Sequence, residues 1–600
     1  MSGVAGGRLD RAATRAMIDE VAGPGDDAAD VFGSGEFSLG VTGPTADSHG
    51  VTTWDDGKRA GVVYGAITNL PELSASHADV FESLFDDPAG TAARLEGGFL
   101  IAAYDSEEDR QLLVTDKIGA RQCYVITEGD LRYSTSVAAL VPRMDDVRVD
   151  RQSVSDVLLL GSTWGNRTLV DGVRAIRPAM VLEAVDGERS ATRYWKPSYR
   201  EMRPNEAYIS GLVDRYRQTV RRVSRTLPSE AGIWLSGGLD SRTTAAALIE
   251  TIAGRDSDPA AEFRTLGAYT YDANPPTNDN PKIAAQIAEK LGVELTDVPL
   301  SAETFGGNFE RAIDAVDGMV RWNTVANLSA TYGVDPLPPV MMEGMQGELV
   351  GDHLLRPHLT NVTSPVESQY LSEATTSVDR VSELLVPDVD PLATLREEVE
   401  ATGETDVRKQ ILDVHFRNYY SRKTLTSNRV MRDFVGTRTP HADGDYLEWC
   451  SRLPSRFRKG AVPFTRGSIP YETTRAKLAL CRRITPDLAD VTYERTKLDP
   501  SMPYPLHVAG FFANVLVGRL RSKPTYGGPQ LADFWIRNRE SRVHERVVDL
   551  LDDASRRALF DADAVREVFD EHMHGANNGG LIAQITTLEH WIQNHVDGRR

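Results

Sequence analysis

The spacing of apolar residues changes near residue 200 and divides the chain into two regions. Before that point, short β-rich runs alternate with turns that contain Gly and Asp, and residues 77–85 have helical spacing. The polar, Pro-containing stretch 195–204 has the composition of a linker. We therefore predict one domain over residues 1–200 and a second over residues 205–600. The β-rich runs lie at 57–70, 97–105, 110–135 and 180–195.

After the linker, strands and helices are predicted to alternate. Residues 206–227 have the periodicity of a long amphipathic helix. Two apolar strands then each precede a helix, which is typical of a parallel sheet covered by helices. From about residue 300 the chain is predicted to be mostly helical. The strand predictions are 231–236 and 263–271, and the helix predictions are 242–253 and 281–292.

No apolar run reaches the roughly 20 residues that are needed to span a bilayer. Residues 511–518 are among the longest and have the length of a core segment. The first residues lack the apolar region of a signal peptide. These features predict a cytoplasmic protein with no membrane partner.

Composition narrows the possible partners further. The chain has 87 Asp and Glu residues and 67 Lys and Arg residues, which gives a formal charge of -20. This charge disfavours binding to nucleic acid and to anionic lipid surfaces. The 67 basic residues include 11 lysines, a composition that suits a salty cytosol. The three cysteines are widely scattered, and His572 and His574 have no partners at ligand spacing. We therefore predict that both histidines lie on the surface and that neither binds a metal.

The segment LSGGLDS, Leu235–Ser241, lies between a predicted buried strand and a predicted helix. Gly237 and Gly238 allow a tight turn and a close approach to a ligand. The serine hydroxyls and the amides at the helix start can donate to phosphate oxygens. A carboxylate beside phosphates typically holds Mg²⁺, which gives Asp240 a role. The alternative is an ordinary Gly-rich turn in which Asp240 or Ser241 caps the helix.

The strand, the SGGxDS motif and the helix together resemble the pyrophosphatase loop of the N-type ATP pyrophosphatases. Further segments in the same order resemble the asparagine synthetase family, which includes the β-lactam synthetases. That resemblance implies an α+β N-terminal αββα sandwich of the Ntn-hydrolase type. An α/β parallel-sheet ATP pyrophosphatase domain with a largely helical C-terminal part would follow. The segments are GVVYGAITNL, LEGGFLIAAYD, TDKIGARQCYV, RYWKP, VGTRTPHADGDYLEW, YERTKLDPSMPYP and residues 572–596.

The resemblance implies an amide ligase that uses ATP and Mg²⁺ to activate a carboxylate as an acyl-adenylate, which an amine then attacks. Lys497 would face the adenylate and stabilise charge on the α-phosphate. Arg438 and Glu348 would complete the catalytic set, and Asp240 with Glu348 would hold the metal. The predicted nucleotide contacts are Leu235, Ser236, Gly237, Gly238, Asp240, Ser241, Ala268 and Gly344.

The sequence departs from the family at the N-terminal nucleophile. Ser2 stands where the family has a catalytic cysteine, Ala66 replaces a glutamate, and no glutamine-holding RRLSI segment is present. A hydroxyl is far less nucleophilic than a thiolate at neutral pH. We therefore predict that the first domain is a degenerate glutamine amidotransferase-like domain without glutaminase activity.

Two further departures affect the synthetase part. Gly347 stands at the position of a metal-binding aspartate of the family. Glu348 or Asp352 could replace this ligand, or the metal site is weakened. Alternatively, both acidic residues are ordinary charges at the start of a helix. Gly436 replaces a glutamate near the amine-acceptor chemistry, which favours a substrate other than that of plain asparagine formation.

Two alternatives stay open on sequence grounds: an authentic glutamine-hydrolysing asparagine synthetase that uses Ser2, and a non-catalytic nucleotide-binding homologue. The predicted partners are small-molecule carboxylate and amine substrates and a possible second copy of the chain.

Overall fold

The computed structural model describes residues 2–22, 30–34, 36–43, 50–254, 262–277, 279–344, 354–360, 362–465, 467–471 and 474–598. Its N-terminal part contains twelve strands within these ranges and five helices. The strands are β1 (Gly3–Arg8), β2 (Asp30–Ser34), β3 (Phe37–Thr42), β4 (Val51–Asp55), β5 (Arg59–Ile67), β6 (Gly97–Asp105), β7 (Arg110–Thr115), β8 (Tyr124–Ile126), β9 (Arg132–Ser134), β10 (Val173–Ala175), β11 (Met180–Val185) and β12 (Glu188–Arg193). The helices are α1 (Arg11–Val21), α2 (Leu70–Leu73), α3 (His77–Asp86), α4 (Pro88–Arg94) and α5 (Arg151–Leu160).

These strands form two antiparallel sheets, with strand orders β10-β8-β9-β1-β3-β2 and β12-β11-β7-β6-β5-β4. The sheets face each other across one apolar core, to which Leu39 contributes from the first sheet and Leu100 from the second. Helices α1 and α5 pack outside the first sheet, and α3 packs outside the second. A capping box between Ser76 and Asp79 fixes the start of α3. The predicted αββα sandwich is confirmed.

The C-terminal part is built on a five-stranded parallel sheet with the order β15-β14-β13-β16-β17. Its central strand β13 is joined to the next strand by a helix, as the alternating pattern predicted. The strands are β13 (Glu230–Trp234), β14 (Thr265–Thr270), β15 (Leu295–Asp297), β16 (Val340–Met342) and β17 (Gly436–Arg438), and a small hairpin is formed by β18 (Gly460–Ala461) and β19 (Pro470–Tyr471).

Helices cover this sheet and make up most of the remaining chain. They are α6 (Glu206–Ser224), α7 (Leu239–Ala253), α8 (Asn280–Leu291), α9 (Ala302–Gly306), α10 (Phe309–Asp314), α11 (Trp322–Val325), α12 (Arg356–Thr360), α13 (Pro365–Glu373), α14 (Val378–Leu384), α15 (Ala393–Glu400), α16 (Val407–His415), α17 (Leu425–Ser427), α18 (Arg429–Arg432), α19 (Gly444–Ser451), α20 (Arg475–Ile484), α21 (Tyr504–Leu520), α22 (Leu531–Arg537), α23 (Arg542–Arg556), α24 (Ala562–Met573) and α25 (Gly579–Trp591). Within the described ranges, none of the helices is both long and apolar enough to cross a membrane.

The apolar run 511–518 belongs to α21, where Phe511 is buried and Leu516 is 60% exposed. The expectation that both His572 and His574 lie on the surface is wrong for His572. His572 is fully buried, and its Nδ1 lies 3.6 Å from a carboxylate oxygen of Asp533. It lies on the amphipathic helix α24, and α22 supplies the acidic partner that spacing along the sequence does not reveal. His574 is exposed, as predicted.

Candidate active site

The loop Leu235–Ser241 connects the carboxyl end of the central strand β13 to the start of α7, a position at which open α/β sheets bind ligands. The Ser236 amide donates to Oγ of Ser241 at 3.0 Å, and the Gly238 amide donates to Oγ of Ser236 at 3.2 Å. Gly238 is the N-cap of α7 and has no side chain with which to cap the helix. The first amides of α7 are therefore suited to phosphate oxygens.

The side chain of Arg242 anchors the loop through the backbone carbonyl groups of the loop. Its side chain is fully buried and donates to the carbonyl oxygens of Gly237 and Gly238, both at 2.9 Å. The same guanidinium donates to the carbonyl oxygens of Val491 at 2.8 Å and Thr492 at 2.9 Å. Burial lowers the pKa of Arg242. One buried cation thus joins the loop to a segment about 250 residues later, which the sequence analysis did not anticipate.

Asp240 lies in the first turn of α7 and forms an ion pair with Lys477 of α20, at 2.8 Å between Oδ2 and Nζ. The carboxylate is 36% exposed and the lysine side chain 15% exposed. Lys477, one of only 11 lysines in the chain, was not among the predicted site residues.

Lys497 lies in a turn that packs against the loop. The Glu494 amide donates to the Gly237 carbonyl at 3.0 Å, and the Lys497 amide donates to the Tyr493 carbonyl at 2.8 Å. The backbone of Lys497 has φ of 55°, in the left-handed region that most residues avoid. Its Nζ lies 3.8 Å from Oδ2 of Asp279, at the start of α8. The structure therefore brings the loop, Asp240, Lys477 and Lys497 to the same edge of the sheet.

The remaining predicted nucleotide contacts lie on the neighbouring strands. Ala268 is buried on β14, in register with Ile233 of β13. Gly344 follows β16, and its carbonyl accepts from Nδ2 of Asn428 at 2.9 Å. Glu348, like Gly347 and Asp352, lies outside the described residues. Within the described residues, no three His, Cys, Asp or Glu side chains are grouped to hold a metal.

Arg438 ends the edge strand β17, which β16 separates from β13. At about 4.8 Å per strand, it lies roughly 10 Å from β13 across the sheet. Its guanidinium donates to Oγ1 and the carbonyl oxygen of Thr226, both at 2.9 Å. Burial lowers its pKa to about 9. The predicted catalytic role stays a prediction, and the contacts in this structure join β17 to the end of α6.

A buried ion cluster that the sequence did not reveal joins the two parts of the chain. Glu343 accepts from Arg432 at 2.6 and 2.9 Å, from Arg121 of the N-terminal part at 3.1 and 3.3 Å, and from Oγ1 of Thr439 at 2.8 Å. Oγ1 of Thr437 also donates to the Glu343 carboxylate. Burial alone would raise the pKa of Glu343, but the two guanidinium charges outweigh it and lower the pKa to about 2.

Ser2 lies at the same boundary between the two parts. Its amide donates to the carbonyl of Arg432 at 3.0 Å, and its Oγ lies 3.3 Å from Oη of Tyr64. Two small cavities meet at Ser2, and Arg121 and Gly436 line one of them. Among the described residues, no Cys, His, Asp or Glu lines either cavity.

Comparison with known families gives one match in each part of the chain. A model described as a glutamine amidotransferase domain matches residues 1–195, and a model described as asparagine synthase matches residues 215–334. This pair of domains fits the asparagine synthetase family. The resemblance inferred from the motifs is thereby confirmed. The match of residues 215–334 to the asparagine synthase model supports an ATP-dependent ligase that forms a carbon–nitrogen bond in an amide.

A search of curated protein sequences gives no match to the chain. Among solved structures, glutamine phosphoribosylpyrophosphate amidotransferase from B. subtilis, complexed with ADP and GMP, is 9% identical at a TM-score of 0.25. The alignment covers 49% of this chain and 90% of that one. A structure titled the allosteric regulatory enzyme of purine biosynthesis is 11% identical at a TM-score of 0.23, over 49% of this chain and 80% of that one. The fold assignment therefore comes from the two sheets and the family matches.

Proposed function

We propose that the protein is an AMP-forming amide ligase that activates a small-molecule carboxylate through an acyl-adenylate. The observation that carries this proposal is the convergence of Asp240, Lys477 and Lys497 beside the loop at the carboxyl end of β13. Two lysines and a set of helix-start amides suit the phosphates of ATP, whereas a purely structural turn would require none of them. The predicted domains, 1–200 and 205–600, are part of the same proposal.

In the first step, a carboxylate oxygen of the substrate attacks the α-phosphorus of ATP. A new P–O bond forms, the bond to the bridging oxygen of the β-phosphate breaks, and pyrophosphate leaves with the electron pair. Ser236, Ser241 and the amides of the loop would hold the departing pyrophosphate. Lys497 would neutralise charge that develops on the α-phosphate.

In the second step, the amine nitrogen attacks the acyl carbon. A C–N bond forms, the C–O bond to AMP breaks, and the nitrogen loses a proton. The arrangement contributes mainly positioning and electrostatic stabilisation, because phosphoryl chemistry requires few covalent partners from the protein.

The residues around Asp240 fit a magnesium ion that shares its coordination with phosphates. The carboxylate is partly exposed beside the uncapped start of α7. Mg²⁺ is commonly held by one or two carboxylates together with phosphate oxygens, and it would neutralise phosphate charge there. Lys477 is paired with Asp240 in this structure, and its ammonium group would turn toward the phosphates of a bound nucleotide.

We further propose that the N-terminal part does not hydrolyse glutamine, so the amine comes from solution or from the substrate itself. Ser2 contacts Tyr64 and the Arg432 carbonyl rather than a basic side chain. A serine hydroxyl needs a base to act as a nucleophile. The nitrogen of Ser2, which removal of Met1 would turn into the α-amine, donates to the Arg432 carbonyl in this structure.

Exchange of radiolabelled pyrophosphate into ATP tests the proposal, with a panel of carboxylic acids as substrates. Exchange that depends on one acid, followed by AMP release when an amine is added, is the expected result. ADP as the product would overturn the adenylate mechanism. A lack of exchange across the panel, together with nucleotide binding, would favour the non-catalytic alternative.

A further inference from the structure

Helix α21 presents an apolar surface to solvent along its whole length. Leu506, Leu516, Val517 and Leu520 are 49%, 60%, 43% and 77% exposed. The opposite side packs inward through Phe511, and His507 and Asn514 bond to the turn that carries Lys497. The outward side of a helix in a globular protein is usually polar, so this arrangement is inverted.

The exposed residues recur at the spacing of a helix–helix contact. Leu506, Ala509, Ala513, Leu516 and Leu520 follow one another at intervals of 3, 4, 3 and 4, which is the a and d pattern of a heptad repeat. All five are exposed. The stripe is defined by the first four of these residues, Leu506, Ala509, Ala513 and Leu516. Its spacing matches another helix rather than an extended peptide, for which alternate positions would be exposed.

The order of side-chain sizes in the stripe is the same in both directions. Leu506, Ala509, Ala513 and Leu516 read large, small, small, large. In an antiparallel pair, a and d positions oppose each other. Leu506 would therefore meet Leu516 of a second copy, and Ala509 would meet Ala513. The two small residues in the middle allow the helices to approach closely, and the leucines close both ends.

We propose that α21 pairs with α21 of a second copy of this chain, antiparallel across a two-fold axis near residue 511. An isologous contact requires a surface that is complementary to itself, and the symmetric stripe meets this requirement. In the same register Leu520 would meet Met502, which is 39% exposed in the segment before α21.

The charges near the two ends of α21 favour the same direction. Arg519 and Arg521 are exposed at the C-terminal end, followed by Lys523, whereas Asp499 precedes the N-terminal end. An antiparallel pair brings the basic end of one helix to the acidic residue of the other, and opposes the two helix dipoles. A parallel pair would place Arg519, Arg521 and Lys523 of one copy against the same three positive charges of the other, although the chain as a whole carries a net charge of -20.

Sedimentation velocity of the full chain tests the proposal at about 1 to 100 µM. The wild type should be a dimer, and Leu506→Glu or Leu516→Glu should weaken the dimer at least about 100-fold, since each places a charge in an apolar contact. Leu371→Glu is the matched control because Leu371 is also 49% exposed but lies on α13. It should remain dimeric. Unchanged melting temperatures would show that all three variants fold.

Disulfide cross-linking tests the register separately. The native cysteines Cys123, Cys450 and Cys481 are buried, so the background is low. The double variant Ala509→Cys/Ala513→Cys should form a covalent dimer under mild oxidation. Neither single variant should form a covalent dimer, because the two copies of the same cysteine would be offset by about 6 Å along the helix axis. A monomeric wild type, a dimer that tolerates both leucine variants, or efficient cross-linking of the single variants would overturn the proposal. All these readouts are independent of ligase activity.

Discussion

Nζ of Lys477 lies 2.8 Å from a carboxylate oxygen of Asp240, although 237 residues separate them along the chain. The pair joins α20 to the first turn of α7, at the carboxyl end of the central strand. In this arrangement, the two charges satisfy each other. A ligand that carries both phosphates and Mg²⁺ would offer each of them a new partner.

Lys477→Ala should lower kcat/KM for ATP about 10²–10³-fold, the usual effect of removing one preorganised donor. Stability should change by less than about 1 kcal/mol, because the pair is partly exposed. Lys290 is the matched control, since it contacts Asp490 at the same 2.8 Å on the surface. Lys290→Ala should affect neither quantity. Near-normal AMP formation by Lys477→Ala would show that the pair is structural. AMP release and thermal unfolding are the measurements.

Lys497→Ala should lower kcat and kcat/KM together by about 10²–10³-fold, with little change in KM for ATP. Lys497→Gly distinguishes the effect of losing the side-chain amine from the effect of backbone strain, because glycine accepts the positive φ without strain. It should lose the same activity while keeping or slightly raising the melting temperature. Lys282 lies 4.0 Å from the same Asp279 but is 83% exposed. If Lys282→Ala were as inactive as Lys497→Ala, Lys497 would have no specific role.

The purified chain should release little or no glutamate from glutamine, and Ser2→Ala should leave AMP formation from ATP, acid and amine unchanged. The reason is that, among the described residues, the cavities at Ser2 are lined by no Cys, His, Asp or Glu that could act as a nucleophile or as a general base. An enzyme-coupled glutamate assay with ammonia as the alternative amine measures this. Robust turnover that disappears in Ser2→Ala would restore the glutamine-dependent alternative.

Glu343→Gln should destabilise the fold by about 3–5 kcal/mol, because it leaves Arg121 and Arg432 buried without a counter-charge. Glu303→Gln, at a carboxylate that is 67% exposed, should cost less than about 0.5 kcal/mol. Urea denaturation measures both.

The folded pKa of Glu343 is about 2, below its ordinary value of 4.5. Its stabilisation should therefore be complete above about pH 4.5 and disappear as the pH falls toward 2.

Glu96 should show the opposite pH dependence. Burial raises its pKa from 4.5 to about 7, although Nζ of Lys117 lies 2.6 Å away and the Gly444 amide donates to it. The folded state then holds the proton more tightly, so stability falls as the pH rises from about 4.5 to 7, by at most about 1.4 kcal/mol per unit. Glu96→Gln should lack this contribution. Its stability relative to the wild type should rise between pH 5 and pH 8, and a constant difference would contradict the raised pKa.

Local signals were sufficient to predict strands such as β5, β6, β13 and β14 and the loop after β13, whereas β1 to β4 and β15 to β17 lie outside the predicted strands. The Gly237–Gly238 turn, the apolar strand before it and the helix after it depend on residues close in sequence. Helix α7 begins at Leu239 rather than at the predicted residue 242, because Gly238 serves as the N-cap.

Partners that are distant in sequence were not predictable in the same way. Lys477 reaches Asp240, and Arg121 reaches Glu343 across 222 residues, only because the tertiary fold brings them together. The exposure of residues 511–518 was not predictable either, because hydropathy measures apolar character and not which face of α21 another element covers.

The buried side chain of Arg242 has a consequence for any attempt to shorten the protein. Its four hydrogen bonds divide equally between the loop and residues 491–492. A fragment that ends at residue 334, where the asparagine synthase match stops, would retain SGGLDS but leave a guanidinium with half its acceptors missing. The smallest fragment that can keep all four of these hydrogen bonds therefore extends beyond residue 492, well past the end of the asparagine synthase match.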